Sequence, residues 1–451
     1  MSKELVTAPS KNNFKMLYRK LTLANFLNWF AVRSLRLYTK ICGQLILYAI
    51  ALDPNREIFR KNLKDLKLSH VSFTGRKQKF TFCTIADVEK YNHEEVTFFY
   101  TGKAICLSKP TVFNPNIVVP DSYACMAYLP DAYLAVMKNA QVFAGTDLII
   151  VNNVAIYDEV DTEGSNQSAI KSPIILAVSA NEMIVNMPKI KKHISEGIHL
   201  TKDHSINYFH WLIECLPKLS LVSNLKADIP LLVDDSLPIQ FYDALAMLNS
   251  EKREIIRMKR NCIYIVKKLY YPSRLSIVRD NYGLPVYAKD AIYSAEAIRF
   301  LRESVLAVIN SDVEPSRKIF ISRKNSSYRQ LLNSVEVEEL LISRGFEIVF
   351  PENLSFLSQV KMFLQAKIII GQSGAGMANF IFAPKTIKIL MLLSDAPGSN
   401  LQLFNALAEA AGVRLQYLIG TTTSVLKKYN LHSDFYVDIN LLANYLDKEA
   451  V

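Results

Sequence analysis

Two stretches of this chain hold residues suited to a phosphate, and a third holds a pair suited to moving a proton. The first runs from Lys367 to Ser394: an apolar run (KIIIG), a glycine-rich turn (GQSGAG), a helix start (MANFIFA), Pro384 and a second apolar run (IKILMLL). Gly371, Gly374 and Gly376 carry no Cβ, so the backbone can turn sharply there and approach a ligand with its N–H groups and a positive helix end. The spacing is neither G-x-G-x-x-G nor G-x-x-x-x-G-K-[ST], which disfavours a nicotinamide fingerprint and a P-loop alike. Taken alone, the segment reads equally well as a plain tight turn. The second stretch, RKIFISRKNSSYRQLLN, predicts a strand over Lys318 to Ser322 followed by Arg323, Lys324 and Arg329. A guanidinium offers a planar fork of donors matched to phosphate oxygens, and the carboxyl end of a strand is where open α/β sheets bind ligands. A solvated charged face is the competing reading, stronger for Lys324 and Arg329 than for Arg323 at the strand end.

The third stretch, NYFHWLIECLPKL from Asn207 to Leu219, has an apolar helical pattern interrupted by His210 and Glu214, four apart on one face. A carboxylate beside an imidazole raises its basicity and fixes its tautomer, as a general base requires, while Trp211, Leu212 and Leu216 would exclude water. Asp203 and His204 lie just upstream and are candidates for the same cluster. The alternative is a core histidine next to a surface carboxylate.

Alternating elements surround these residues. After the strand at Lys318, the pattern predicts a helix (Val335 to Ser343), a strand (FEIVF) and, beyond Pro351, a helical stretch (LSFLSQVKMFLQA), the order a parallel sheet requires. Short runs between residues 66 and 120 (HVSFTG, KFTFCTI, VTFFYTG) predict a β-rich layer. Gly283 and Pro285 break the pattern between Asp280 and Asp290, where a hinge is expected.

In order, spacing and residue type, NYFHWLIECLPKL, ISRK and GQSGAGMANFIFAP together resemble the signature of glycosyltransferase family 61. NAQVFAGTDLIIVNNVAIYDE (Asn139 to Glu159) and LHSDFYVDINLL (Leu431 to Leu442) extend the likeness, which begins near Pro120 and covers roughly two thirds of the chain. The resemblance implies an α/β fold of two Rossmann-like domains facing a cleft, the GT-B arrangement. The expected organisation is a basic amphipathic segment (1–65), a β-rich region (66–198), an acceptor half (199–285) and a donor half (286–445). It further implies an inverting glycosyltransferase using a nucleotide sugar such as a UDP-sugar, with no cofactor and no obligatory metal. Residue by residue, Arg323, Ser373, Gly374, Ala375, Gly376 and Asn379 would lie around the donor pyrophosphate, with Lys324 and Arg329 nearby. His210, Glu214 and Asn207 would face them, with Asp203 also on the acceptor side. Many family members have histidine where this chain has Ser373; a hydroxyl donates to phosphate but carries no charge, which points to a different donor or weaker activity. The expected acceptor is a glycan or lipid-linked saccharide in surface polysaccharide biosynthesis. A polysaccharide pyruvyl transferase-like enzyme and an inactive membrane-bound scaffold remain alternatives, because fold alone does not fix chemistry.

Composition sets the outer bounds. With 451 residues, 50% of them hydrophobic, the chain can bury two cores. The net charge of +11 is uneven: residues 1–80 hold 16 Lys and Arg against 4 Asp and Glu, and the other 371 hold 37 against 38. Leu21 to Val32 and Ile41 to Leu52 are apolar runs too short to span a bilayer, which takes about 20 residues. On a helix Leu23, Phe26, Leu27, Phe30, Leu37, Ile41 and Leu45 share a face, with Arg33, Arg36 and Lys40 about a quarter turn or more away, the build of a membrane-surface helix or of one covering a core. The expectation is a cytoplasmic protein held peripherally on the inner face of an anionic membrane. Nucleic acid is not an expected partner, since no known module accompanies the charge, and no secretory cleavage site follows the apolar run. Six cysteines without C-x-x-C spacing read as reduced core thiols.

Overall fold

The computed structural model describes residues 76–83, 95–157, 172, 174–178, 182–279, 287–309, 314–423 and 432–449. The expected amphipathic segment and residues 280–286 of the expected hinge lie outside them. No helix among the described residues is long and apolar enough to cross a membrane.

Two large sheets organise the rest. The first has eleven strands. At one end Ile255–Met258, Leu231–Asp234, Ile190–His199 and Cys262–Pro272 run parallel in that order. Ala132–Val142 then pairs antiparallel with Cys262–Pro272 and leads into the mainly antiparallel remainder, which includes Arg76–Cys83 and Glu182–Met187. A boundary at 198/199 therefore does not divide the sheet: Ile190–His199, from the expected β-rich region, sits inside the parallel part. Its length lets it pair along Cys262–Pro272 and still reach Leu231.

The second sheet carries five parallel strands in the order Glu347–Val349, Arg317–Ile321, Ala366–Gln372, Lys388–Ser394 and Arg414–Thr422. Such strands are covered on both faces, so their residues are apolar almost throughout. The two-residue period then splits them between two cores. Ile319, Ile321, Ile369, Ile389 and Met391 join one cluster, whereas Phe320, Ile368, Ile370, Leu390 and Leu392 join another. The first cluster also holds Trp211, Leu231 and Val233, so the two halves share a core. Helices Ile239–Leu248, Ala295–Leu306, Phe356–Leu364 and Gln402–Ala411 contribute to that core. Thr111–Val112, far earlier in the chain, adds a parallel strand to the edge of the second sheet. Of the described cysteines, Cys215 and Cys262 are buried as expected, but Cys106 is exposed on the short strand Ala104–Leu107.

Candidate functional site

The proton-moving pair is built by an irregular helix. Asn207 caps it, its Oδ1 accepting from the Phe209 N–H at 3.0 Å, and Tyr208–His210 begin as α-helix. Trp211–Cys215 then widen into a π-turn before a 3-10 stretch, Leu216–Leu221. Pro217 accounts for the widening: it has no N–H for Ile213, and in a regular α-helix its ring would clash with that carbonyl. Turns of this kind recur at functional sites. His210 and Glu214, both buried, meet here, with Nδ1 of the imidazole 2.5 Å from Oε2 of the carboxylate. With Nδ1–H donating to Glu214, Nε2 is left as the basic nitrogen.

The glycine-rich segment follows the strand Ala366–Gln372, and the Ser373 N–H continues the ladder by donating to Leu392 O at 2.9 Å. The expected helix start is a 3-10 helix, Ala375–Phe382. Gly374 has φ near 180°, an extended conformation open to any residue. Its lack of a side chain matters for space: a Cβ there would overlap Nη1 of Arg323. Arg323 itself stands at the end of Arg317–Ile321, its backbone N–H held by Gln372 Oε1 at 2.9 Å and its Nη2 by Ser326 Oγ at 2.9 Å. Its Nε is buried without a hydrogen-bond partner among the described residues. Burial, reinforced by the nearby charge of Arg329, pushes its pKa down to about 10, so the guanidinium stays charged at neutral pH in a setting that favours an anion.

These groups converge on one cavity of about 480 Å³. His210, Asn207 and His204 line one side, and Arg323, Arg329, Ser373, Gly374 and Ala375 the other. Sequence reasoning had not singled out Arg279, Tyr328 or His432, which also line it. Among the described residues, three guanidiniums and no carboxylate line the space. Two lining residues sit in the left-handed region, His204 at φ 63° and Arg329 at φ 54°, a conformation that carries strain in residues with side chains and clusters at binding sites. The Arg329 backbone is held there by His432 O and by Gln372 Nε2. Arg323 and Gly374 form a wall shared with a neighbouring cavity of about 430 Å³, lined also by Gly376, Tyr208 and Glu352.

Three candidates lie elsewhere. Lys324 reaches outward to Glu338 at 4.0 Å, its side chain half exposed, because the chain turns after Arg323. Asp203 Oδ2 accepts from the Tyr157 hydroxyl at 2.6 Å and from Thr146 Oγ1 at 3.3 Å, and Asp203 is not among the cavity-lining residues described. Asn379 is fully buried, accepting from Tyr208 OH at 2.6 Å and donating to Gln359 Oε1 at 2.7 Å, so it ties the His210 helix to the helix Phe356–Leu364. Among the described residues no group of three or more His, Cys, Asp or Glu is placed to hold a metal ion.

The space demanded at Gly374 makes a prediction. Gly374→Ala should push the Arg323 guanidinium aside while sparing the fold, since the displaced group is the end of a flexible side chain. Under the donor role that the resemblance implies for Arg323, titration calorimetry with UDP should show affinity lowered about tenfold, roughly 1.4 kcal/mol, with an unchanged melting temperature; undiminished affinity would contradict that role.

None of the curated proteins matches the chain. The family model described as Glycosyltransferase 61 matches residues 208–390, a narrower span than the sequence resemblance, reaching from the His210 helix through Arg323 to the strand after the glycine-rich loop. Over residues 208–390 the chain is thus similar to glycosyltransferase family 61.

Proposed function

We propose that the protein is an inverting glycosyltransferase of the GT-B type that moves a sugar from a nucleotide sugar to a glycan or lipid-linked saccharide. The reading rests on one observation: His210, held by Glu214, opens into the same cavity as Arg323, Arg329 and the loop at Ser373. In the proposed step His210 Nε2 takes the acceptor hydroxyl proton, the oxygen attacks the anomeric carbon from the face opposite the diphosphate, and the glycosyl–phosphate bond breaks. Arg323 and Arg329 receive the charge that develops on the departing diphosphate, the role a metal ion fills elsewhere. The Ser373 hydroxyl adds a neutral donor.

Thermal-shift measurements against a panel of nucleoside diphosphates and nucleotide sugars test the reading. A ligand at 100 times its dissociation constant stabilises the native state by about 2.7 kcal/mol, which should raise the melting temperature by a few degrees. A panel in which nothing raises it counts against a nucleotide-sugar site, and binding without turnover with any acceptor would favour a scaffold.

The amino-terminal charge extends the proposal to location. Residues 1–80 carry an excess of 12 positive charges, and each basic residue near an anionic membrane contributes about 1 kcal/mol, screened by salt. The full chain should sediment with anionic vesicles, release partly at high salt and bind neutral vesicles poorly. A chain shortened to begin near Lys67 should lose vesicle binding and keep donor binding. Equal sedimentation of the two would remove the membrane role from this segment.

A further inference from the structure

Behind His210, Glu214 leads into a buried series of charges for which the proposed transfer has no stated use. Glu214 Oε1 lies 3.4 Å from Lys202 Nζ. Lys202 Nζ is also 3.4 Å from Asp147 Oδ2, and Lys218 Nζ is 3.5 Å from Asp147 Oδ1. None of these four side chains is more than 5% exposed, so water screens them little. Three parts of the chain supply them: the loop after Ala132–Val142, the segment after Ile190–His199, and the His210 helix with its 3-10 continuation. Buried ion pairs are a poor means of stabilising a fold, because apolar side chains of similar volume do as well or better. Two lysines and two carboxylates in one core therefore call for another reason. Outward from His210 the charges of these four side chains alternate, negative, positive, negative, positive.

We propose that Lys202 and Asp147 are positioning residues that set the basicity of His210 through Glu214. Lys202 offsets the charge of Glu214 and holds Oε1, leaving Oε2 for the imidazole; Asp147 limits that offset. A buried carboxylate with no such offset, 2.5 Å from Nδ1, would trap the imidazolium and leave no base. Too strong an offset would leave an imidazole reluctant to accept a proton. The series thus tunes His210 between the two.

Other titratable and charged groups face the imidazole and are the same in every variant compared. The His204 ring lies 5.7 Å away, and Arg279, Arg323, Arg329 and His432 face the same cavity. Burial raises the Tyr293 hydroxyl and the Cys215 thiol well above their ordinary pKa values, so both stay neutral near Glu214. At the far end, burial and the charge of Lys218 hold His199 neutral.

The proposal rests on His210 acting as the base, yet its test reads the imidazole directly and needs no substrate. In the full chain labelled with ¹³C-histidine, one of 7 histidine signals is His210, identified by its loss in His210→Gln. Lys202→Met keeps the volume and removes the positive charge, and should raise the His210 titration midpoint by about one pH unit. Asp147→Asn should lower it by a similar amount, and the double variant should return it close to the wild-type value. Lys202→Gln carries the same expected sign if Lys202→Met does not fold. Opposite shifts are what a charge series produces and a purely structural role does not. Midpoints that stay put, or that move the same way in both single variants, overturn the proposal whatever His210→Ala does to transfer.

Discussion

His210→Ala is expected to abolish sugar transfer while sparing donor binding. Inversion by a single displacement requires the acceptor hydroxyl to lose its proton as its oxygen attacks, and His210 is a cavity-lining residue with a carboxylate in place to stabilise the imidazolium. A positioned general base contributes about 10² to 10⁴ in rate, roughly 3 to 5 kcal/mol of barrier. The donor half of the cavity is built from other segments, so UDP affinity measured by calorimetry should change little. Transfer at the wild-type rate would reject the role, and loss of UDP binding as well would make His210 structural. Glu214→Gln should be milder in turnover. Removing the carboxylate lowers the proton affinity of the imidazole, so the acid limb of the rate profile should move to lower pH.

The elements of the second sheet were legible in the sequence because parallel strands buried on both faces are written in apolar residues. The strand expected at Lys318 to Ser322 forms at Arg317–Ile321, and the helix expected at Val335 to Ser343 forms at Ser334–Ser343. The i, i+4 spacing of His210 and Glu214 likewise foretold their contact, although Pro217 turned the expected helix into a π-turn. Three features escaped for want of a local signal. The first sheet crosses the expected 198/199 boundary because a ten-residue strand pairs with partners on both sides of it, a fact of long-range pairing. Gly374 was expected to be needed for its backbone freedom, and what it supplies is room for Arg323. Arg279, Tyr328 and His432 converge on the cavity from segments up to 153 positions apart, and nothing in their neighbours marks that convergence.

Arg323 should prove as consequential as His210, on the donor side. Its Nε is buried without a partner among the described residues, and burial and Arg329 lower its pKa to about 10. The sign of that shift decides the prediction. A cation whose folded pKa lies below its ordinary value weakens the fold at all pH values below that pKa, so at neutral pH the Arg323 charge is unfavourable until an anion joins it. Arg323→Ala should therefore leave the melting temperature of the donor-free protein unchanged or slightly raised, and remove most of the rise that UDP produces. Loss of a charge-assisted contact to the developing diphosphate charge costs about 2 to 4 kcal/mol in such sites, so turnover should fall roughly 30- to 1,000-fold. Arg323→Lys should recover only part of it, because an ammonium keeps the charge without the planar fork. Wild-type turnover in the alanine variant would remove Arg323 from the mechanism. A donor-free protein that melts far lower would show instead that the guanidinium is held for the fold, through Ser326 and the stacking over Tyr328, and that the anion-binding role belongs to Arg329 and Arg279.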